Sequence, residues 1–121
     1  MNKKLRILLK KVGEKPIDTF VEDTLEAKQK LVGGLIEVVP LADVLLVCNE
    51  EGKILNMQPN LIFDYDYFAG DCFVIGDDYE NGDFKSLTDE QVEEYTKLLE
   101  ERSFICRDDH FLKEGRDRDD D

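Results

Sequence analysis

Residues 31–60 read LVGGLIEVVPLADVLLVCNEEGKILNMQPN, and this stretch decides the fold class. Gly33 and Gly34 can take the positive φ that ends a short helix. Residues 35–39 read as a strand that stops at Pro40. Residues 44–48 are apolar without polar alternation, the pattern of a central strand covered on both faces. Asn49, Glu50, Glu51 and Gly52 form a polar turn, and residues 53–55 a short strand beyond it. A helix end and successive strands joined by tight turns predict an α+β domain.

Working outward, Leu5, Ile7 and Leu9 alternate with Arg6, Leu8 and Lys10, a strand period. A second alternation at Ile17, Thr19 and Val21, after the turn signal of residues 13–16, predicts a hairpin. Asp23 with Glu26 marks a helix start, and Thr24 is a second candidate cap. Leu25, Lys28, Leu31 and Val32 give that helix a short amphipathic face. Downstream, residues 57–67 carry no regular pattern. Residues 72–75 read as a strand bracketed by Gly70 and Gly76, and residues 77–83 as a polar loop. Thr88 and Gln91 make a capping box for the last helix. Asp89 and Glu90 suit its first turn, and Val92, Tyr95, Leu98 and Leu99 form its apolar face. Phe104, Ile105, Phe111 and Leu112 suggest one more packed strand or turn. The expected fold is α+β: a mainly antiparallel sheet, a short helix after the first hairpin and a capped C-terminal helix. It forms a single domain over residues 1–114, followed by a disordered acidic tail at 115–121.

Charge is the other strong signal. The 121-residue chain has a net charge of -13, with 37% charged residues. That excludes ordinary binding to a phosphate backbone, which needs surplus Lys and Arg. Residues 1–15 carry a net +5, whereas residues 64–94 carry eleven acids against Lys85. A charge run is commonly a solvated face. The sharper alternative is a recognition surface for a basic protein. Its candidate residues are Asp64, Asp66, Asp71, Asp77, Asp78, Glu80, Asp83, Glu90, Glu93 and Glu94, with Tyr65 and Tyr67 as aromatic anchors. The aromatic run Phe63, Tyr65, Tyr67 and Phe68 also fits a loop or edge strand with its rings packed inward.

No catalytic set emerges. His110 is the sole histidine, so a nucleophile lacks the usual base. Cys106, Asp108, Asp109 and His110 lack the spacing of a zinc site. Residues 77–82 resemble the start of a calcium loop, but Tyr79 and Thr88 stand where oxygen-rich ligands are required. No glycine-rich phosphate cradle occurs. We expect no enzyme activity, no metal and no cofactor. Cys48, Cys72 and Cys106 are odd in number, without a CxxC, as in a reducing compartment. No apolar run approaches the ~20 residues of a membrane span, and the N-terminus lacks a signal-peptide cleavage site. We expect a cytoplasmic protein without membrane contact.

Several short motifs carry a family resemblance: LVGG followed by IEVVPL, a strand ending in CNEEGK, Pro59-Asn60, an Ala69-Gly70 before an apolar strand, and SLTDEQ opening the last helix. Across roughly residues 5–100 the chain resembles domain-of-unknown-function family 3846. The matching positions are Asn49, Glu51, Gly52, Asn60, Gly70 and Gly76. The chain departs from the family's PxN in having no residue between Pro59 and Asn60, and its strand after Gly70 begins Asp71-Cys72. The resemblance implies a small protein of bacteriophages, plasmids, conjugative elements or low-GC Gram-positive bacteria, with no established enzymatic activity.

Together these observations predict a non-catalytic, acidic binding or accessory protein of a mobile element, facing a basic host protein. Its sharpest form is a DNA mimic that inhibits a nucleic-acid-binding or defence protein. The alternative is a small-molecule or nucleotide-sequestering domain with Asn49, Glu51 and Asn60 lining a pocket. Turn chemistry alone also accounts for Asn49 and Gly52.

Overall fold

The alternation at the start of the chain becomes β1 (Lys4–Lys10) in the computed structural model, which describes residues 3–104. Leu5, Ile7 and Leu9 enter one core and Leu8 the other, as the two-residue period of a strand requires. β1 pairs antiparallel with β2 (Ile17–Glu22), Leu5 opposite Val21 and Leu9 opposite Ile17. Helix α1 (Leu25–Val32) follows. Its N-cap is Thr24, whose hydroxyl accepts the Ala27 N–H. Asp23, the other cap candidate, pairs instead with the buried Lys28 at 2.8 Å. Gly33, at φ 80°, closes the helix by donating its N–H to Gln29 O. A helix of eight residues is marginal alone; Ala27, Leu31 and Val32 hold it against the sheet.

β3 (Ile36–Leu41) and β4 (Val44–Asn49) form the next hairpin. β3 continues through Pro40 rather than stopping there. The Glu50 N–H donates to Leu35 O at 2.8 Å, which sets the register. Leu35, Glu37, Val39 and Leu41 turn their backbone polar groups toward β4, and those of Ile36, Val38 and Pro40 face outward. A proline is tolerated there because its missing N–H would have faced solvent on an edge strand.

Residues 53–55 are not a strand. The Leu55 N–H donates to Glu51 O and the Met57 N–H to Gly52 O, both at 2.9 Å, so the segment winds as a helical turn. The region expected to be irregular contains β5 (Pro59–Ile62) and β6 (Tyr67–Ala69), a small separate sheet. β7 (Cys72–Asp78) runs three residues past the expected strand. The expected polar loop is a hairpin, because β8 (Asp83–Lys85) folds back to pair Asp83 with Asp78 and Lys85 with Gly76. Helix α2 (Asp89–Arg102) begins at Thr88 with both arms of the Thr88–Gln91 capping box formed.

The main sheet has the order β2-β1-β7-β4-β3, with β8 joining β7 beside β1; every pairing is antiparallel. β7 and β4 are central. Val44, Leu46, Cys72 and Val74 face one core, where Leu87, Tyr95 and Leu99 close over them with Leu61 of β5. Val47, Phe73 and Ile75 face the other, under α1. Both faces of the sheet are therefore covered, as the unbroken apolar run at 44–48 predicts. Each buried apolar side chain contributes about 1.5–3 kcal/mol, more than helix or strand propensity supplies. The expected segment at Ile105, Phe111 and Leu112, the tail at 115–121 and the cluster of Cys106, Asp108, Asp109 and His110 lie outside the described residues.

Candidate functional site

β7 divides the molecule into two ends, and the candidate acids divide with it. Asp71 precedes its first residue and Asp77 and Asp78 lie at its last, about 20 Å away at ~3.3 Å per residue. At the far end Asp77, Asp78, Glu80 and Asp83 occupy the β7–β8 hairpin, with Tyr79, 80% exposed, at its tip. Glu90, Glu93 and Glu94 follow on the first two turns of α2, which starts at this same end because the Leu87 N–H is held by Arg6 O and the Arg6 N–H by Ser86 Oγ. None of these seven carboxylates forms an ion pair among the described residues.

The frame beneath them is tightly fixed. The Asp43 carboxylate, in the β3–β4 turn, accepts from the Tyr95 hydroxyl and from Gln91 Nε2. Those two donors, Tyr95 first, hold the Asp43 carboxyl below its usual range. Burial and then the Asp43 hydrogen bond push the Tyr95 hydroxyl up to about 12. Arg6 forks onto Asp18, with Nε at 3.0 Å and Nη2 at 2.8 Å, and also reaches Asp89. That fork keeps Asp18 low and Arg6 high. Arg6 thus engages Asp18 and Asp89 rather than the hairpin acids.

The opposite end behaves differently. Asp64 pairs with Arg102 at 3.4 Å, Asp66 pairs with Lys53, and Asp71 accepts the Val12 N–H at 2.9 Å. Three of the ten candidate acids therefore lie away from the hairpin, each with a partner. Tyr65 and Tyr67 are also here. Phe63 and Phe68 turn inward, edge to face with centroids 5.9 Å apart, whereas Tyr65 is 82% exposed and Lys53 lies over the Tyr67 ring.

The candidate pocket residues do not converge. Asn49 is buried; its Nδ2 donates to Val32 O at 3.1 Å and its Oδ1 accepts from the Glu51 N–H at 2.7 Å, tying the end of α1 to the turn. The Glu51 side chain is exposed. Asn60 is fully buried and ties β5 to β1 and to the turn between β6 and β7: its Nδ2 donates to Lys10 O and Gly70 O, and its Oδ1 accepts from Lys10 Nζ at 2.8 Å. Asn49 lines a cleft of about 410 Å³ with Glu37, Val39, Lys53, Ile54, Tyr65 and others, but Glu51 and Asn60 are not on its wall. The matching glycines are close approaches too. A β-carbon on Gly52 would lie 2.6 Å from Ala69 O, and one on Gly76 2.6 Å from Lys85 O.

Lys10 is the residue the sequence pattern misplaced. It is 0% exposed, its ammonium held by Asn60 and by Lys11 O at 3.1 Å. Burial lowers its pKa. The available signal was its two-residue offset from Leu8, which places both on one face.

Chemistry is limited. Cys48 and Cys72 are buried free thiols. Burial pushes Cys48 up to about 11 and Cys72 higher still, so neither holds a thiolate at neutral pH. Among the described residues no group of three or more His, Cys, Asp or Glu is placed to hold a metal ion. Likewise, no described helix is long and apolar enough to cross a membrane. In comparisons with known proteins, the model of a family described as a domain of unknown function, number 3846, matches residues 5–100. No curated protein and no solved structure matches the chain.

Proposed function

The chain belongs to domain-of-unknown-function family 3846, and from that premise we propose that it is a non-catalytic binding protein. Its acidic end, the β7–β8 hairpin with the first turns of α2, docks on a basic surface of a protein partner. The observation that carries this is the contrast in pairing. Among the described residues seven carboxylates at one end make no ion pair, although the chain places Arg6 on Asp18 and Asp89, Lys53 on Asp66 and Arg102 on Asp64. Like charges held together are unfavourable in the free protein and become favourable when a cationic surface arrives. Tyr79 at the hairpin tip offers the aromatic anchor that such contacts favour.

In this reading the protein is a cytoplasmic accessory factor of a mobile element. The partner is a nucleic-acid-binding protein whose basic groove receives carboxylates in place of phosphates. The small-molecule alternative is weaker, because the amides of Asn49 and Asn60 are already engaged by the protein itself.

The test is capture of host proteins by the wild-type chain and by a variant carrying Asp77→Asn, Asp78→Asn, Glu80→Gln and Asp83→Asn. The expected partner binds the wild type at low salt, is released as ionic strength rises, is lost with the variant and is displaced by duplex DNA. A partner retained equally by both chains, or indifferent to salt, sinks the reading.

A further inference from the structure

Among the described residues β3 is an edge strand with open hydrogen-bonding groups, and it forms one wall of the 410 Å³ cleft at the end of the molecule away from the acidic hairpin. The N–H and C=O groups of Ile36 and Val38 and the C=O of Pro40 face away from β4, by the register that Leu35 and Glu50 fix. On the face that carries α2, Glu37 and Val39 supply the cleft wall, and Ile54 and Tyr65, 79% and 82% exposed, rise from the loops across it. Glu37 and Glu50 line the cleft and make no ion pair among the described residues, whereas Asp66 is engaged by Lys53.

We propose that this edge and cleft receive an extended segment of a partner protein carrying basic side chains at alternate positions. A strand added to β3 lies about 4.8 Å beyond it and sends every second side chain over the cleft. Those side chains meet the carboxylates of Glu37 and Glu50 and the apolar surfaces of Val39, Ile54 and Tyr65. The charge pattern selects the occupant. A second copy of this chain would bring another net -13 and another Glu37 against the same edge. Pro40 has no N–H to offer, so the ladder is short, running from Ile36 to the Pro40 carbonyl. This surface is separate from the acidic hairpin and does not depend on it.

The test is an NMR titration of the full chain with two synthetic octapeptides, four Lys-Val repeats and four Glu-Val repeats. The lysine peptide is expected to shift the amides of Ile36, Val38 and Gly52 and to slow hydrogen exchange at Ile36 and Val38. The glutamate peptide is expected to leave them unchanged. N-methylation of alternate valines in the lysine peptide removes the donors of the added strand and should weaken binding at least tenfold. Val38→Pro should do the same, since the N–H it removes takes no part in the β3–β4 ladder; Glu37→Lys supplies a second variant. The proposal is overturned by any of four results: no shift at millimolar peptide, shifts confined to the β7–β8 hairpin and α2, binding indifferent to N-methylation, or sedimentation showing the edge occupied by a second copy. Neutralising the hairpin acids should leave this titration unchanged, so this proposal and the acidic-end reading fail separately.

Discussion

The two ends of the central strand use polar side chains in opposite ways. At the Gly76 end, the hydrogen bonds of Gln91 and Tyr95 to Asp43 and of Arg6 to Asp18 and Asp89 fix the frame, and the acids beyond it are left to solvent. At the Cys72 end, Asn49, Asn60, Lys10 and Asp71 are each turned inward to hold a loop, a helix end or a strand start. The first arrangement can change its charge without changing its fold. The second cannot lose an amide without loosening several segments together. Buried polar groups that bridge elements act as joints; exposed ones on a capped frame are available for recognition.

The sharpest way to break this comparison is Asn60→Ala. It leaves the Lys10 ammonium with Lys11 O alone and takes the Asn60 donor from the carbonyls of Lys10 and Gly70, all in a buried setting. Each buried donor or acceptor left short of a partner costs about 1–3 kcal/mol, more for a charged group, so the three together take a large share of a total of about 5–15 kcal/mol. Urea denaturation should show the midpoint collapse, and a loss below about 1 kcal/mol would mean that the joint holds nothing. A smaller effect is expected at the other end from Tyr95→Phe, about 1.5 kcal/mol for one hydrogen bond to a solvent-facing carboxylate. Asp43 has a folded pKa below its unfolded value of about 3.9. Its contribution is therefore complete above that pH and is lost as the pH falls through the lower folded value. The stability gap between wild type and Tyr95→Phe should be constant near neutrality and narrow below about pH 4 in denaturant titrations. The smallest effect belongs to the fourfold hairpin neutralisation used to test partner capture. Its stability change should stay within about 0.5 kcal/mol, and it should lean toward stabilisation at low salt as like charges are removed. A large destabilisation there would assign those acids to the fold and not to recognition.

Much of the fold was legible because local signals and burial agree. Thr88 and Gln91 specify their own cap, and the apolar run from Val44 to Cys48 can only be buried on both faces. What the sequence hid depends on partners far along the chain. Residues 77–83 are mostly polar, yet they pair because Gly76 lets Lys85 and Ser86 pass close by. Pro40 stays in its strand because, among the described residues, no strand pairs with β3 on its outer side. β5 and β6 are short, and their pairing rests on Phe63 and Phe68 turning inward while Tyr65 does not, a choice that alternation with acids leaves open. The acidic run was evident, but its division was not, since charge along a chain does not show that a seven-residue strand lies between two groups of carboxylates.

The position of β7 has a consequence for how the chain is made. The hairpins β1–β2 and β3–β4 are complete by residue 49, yet they join into one sheet only through a strand that ends at Asp78. During synthesis both emerge with an unpaired side waiting for the same late segment. Folding of the sheet is therefore a single closing event that must bridge more than sixty residues from β1 to β7, which favours slow assembly and an interval of exposure to aggregation or to a chaperone. A truncation before Cys72 should leave two sticky ribbons rather than a smaller domain.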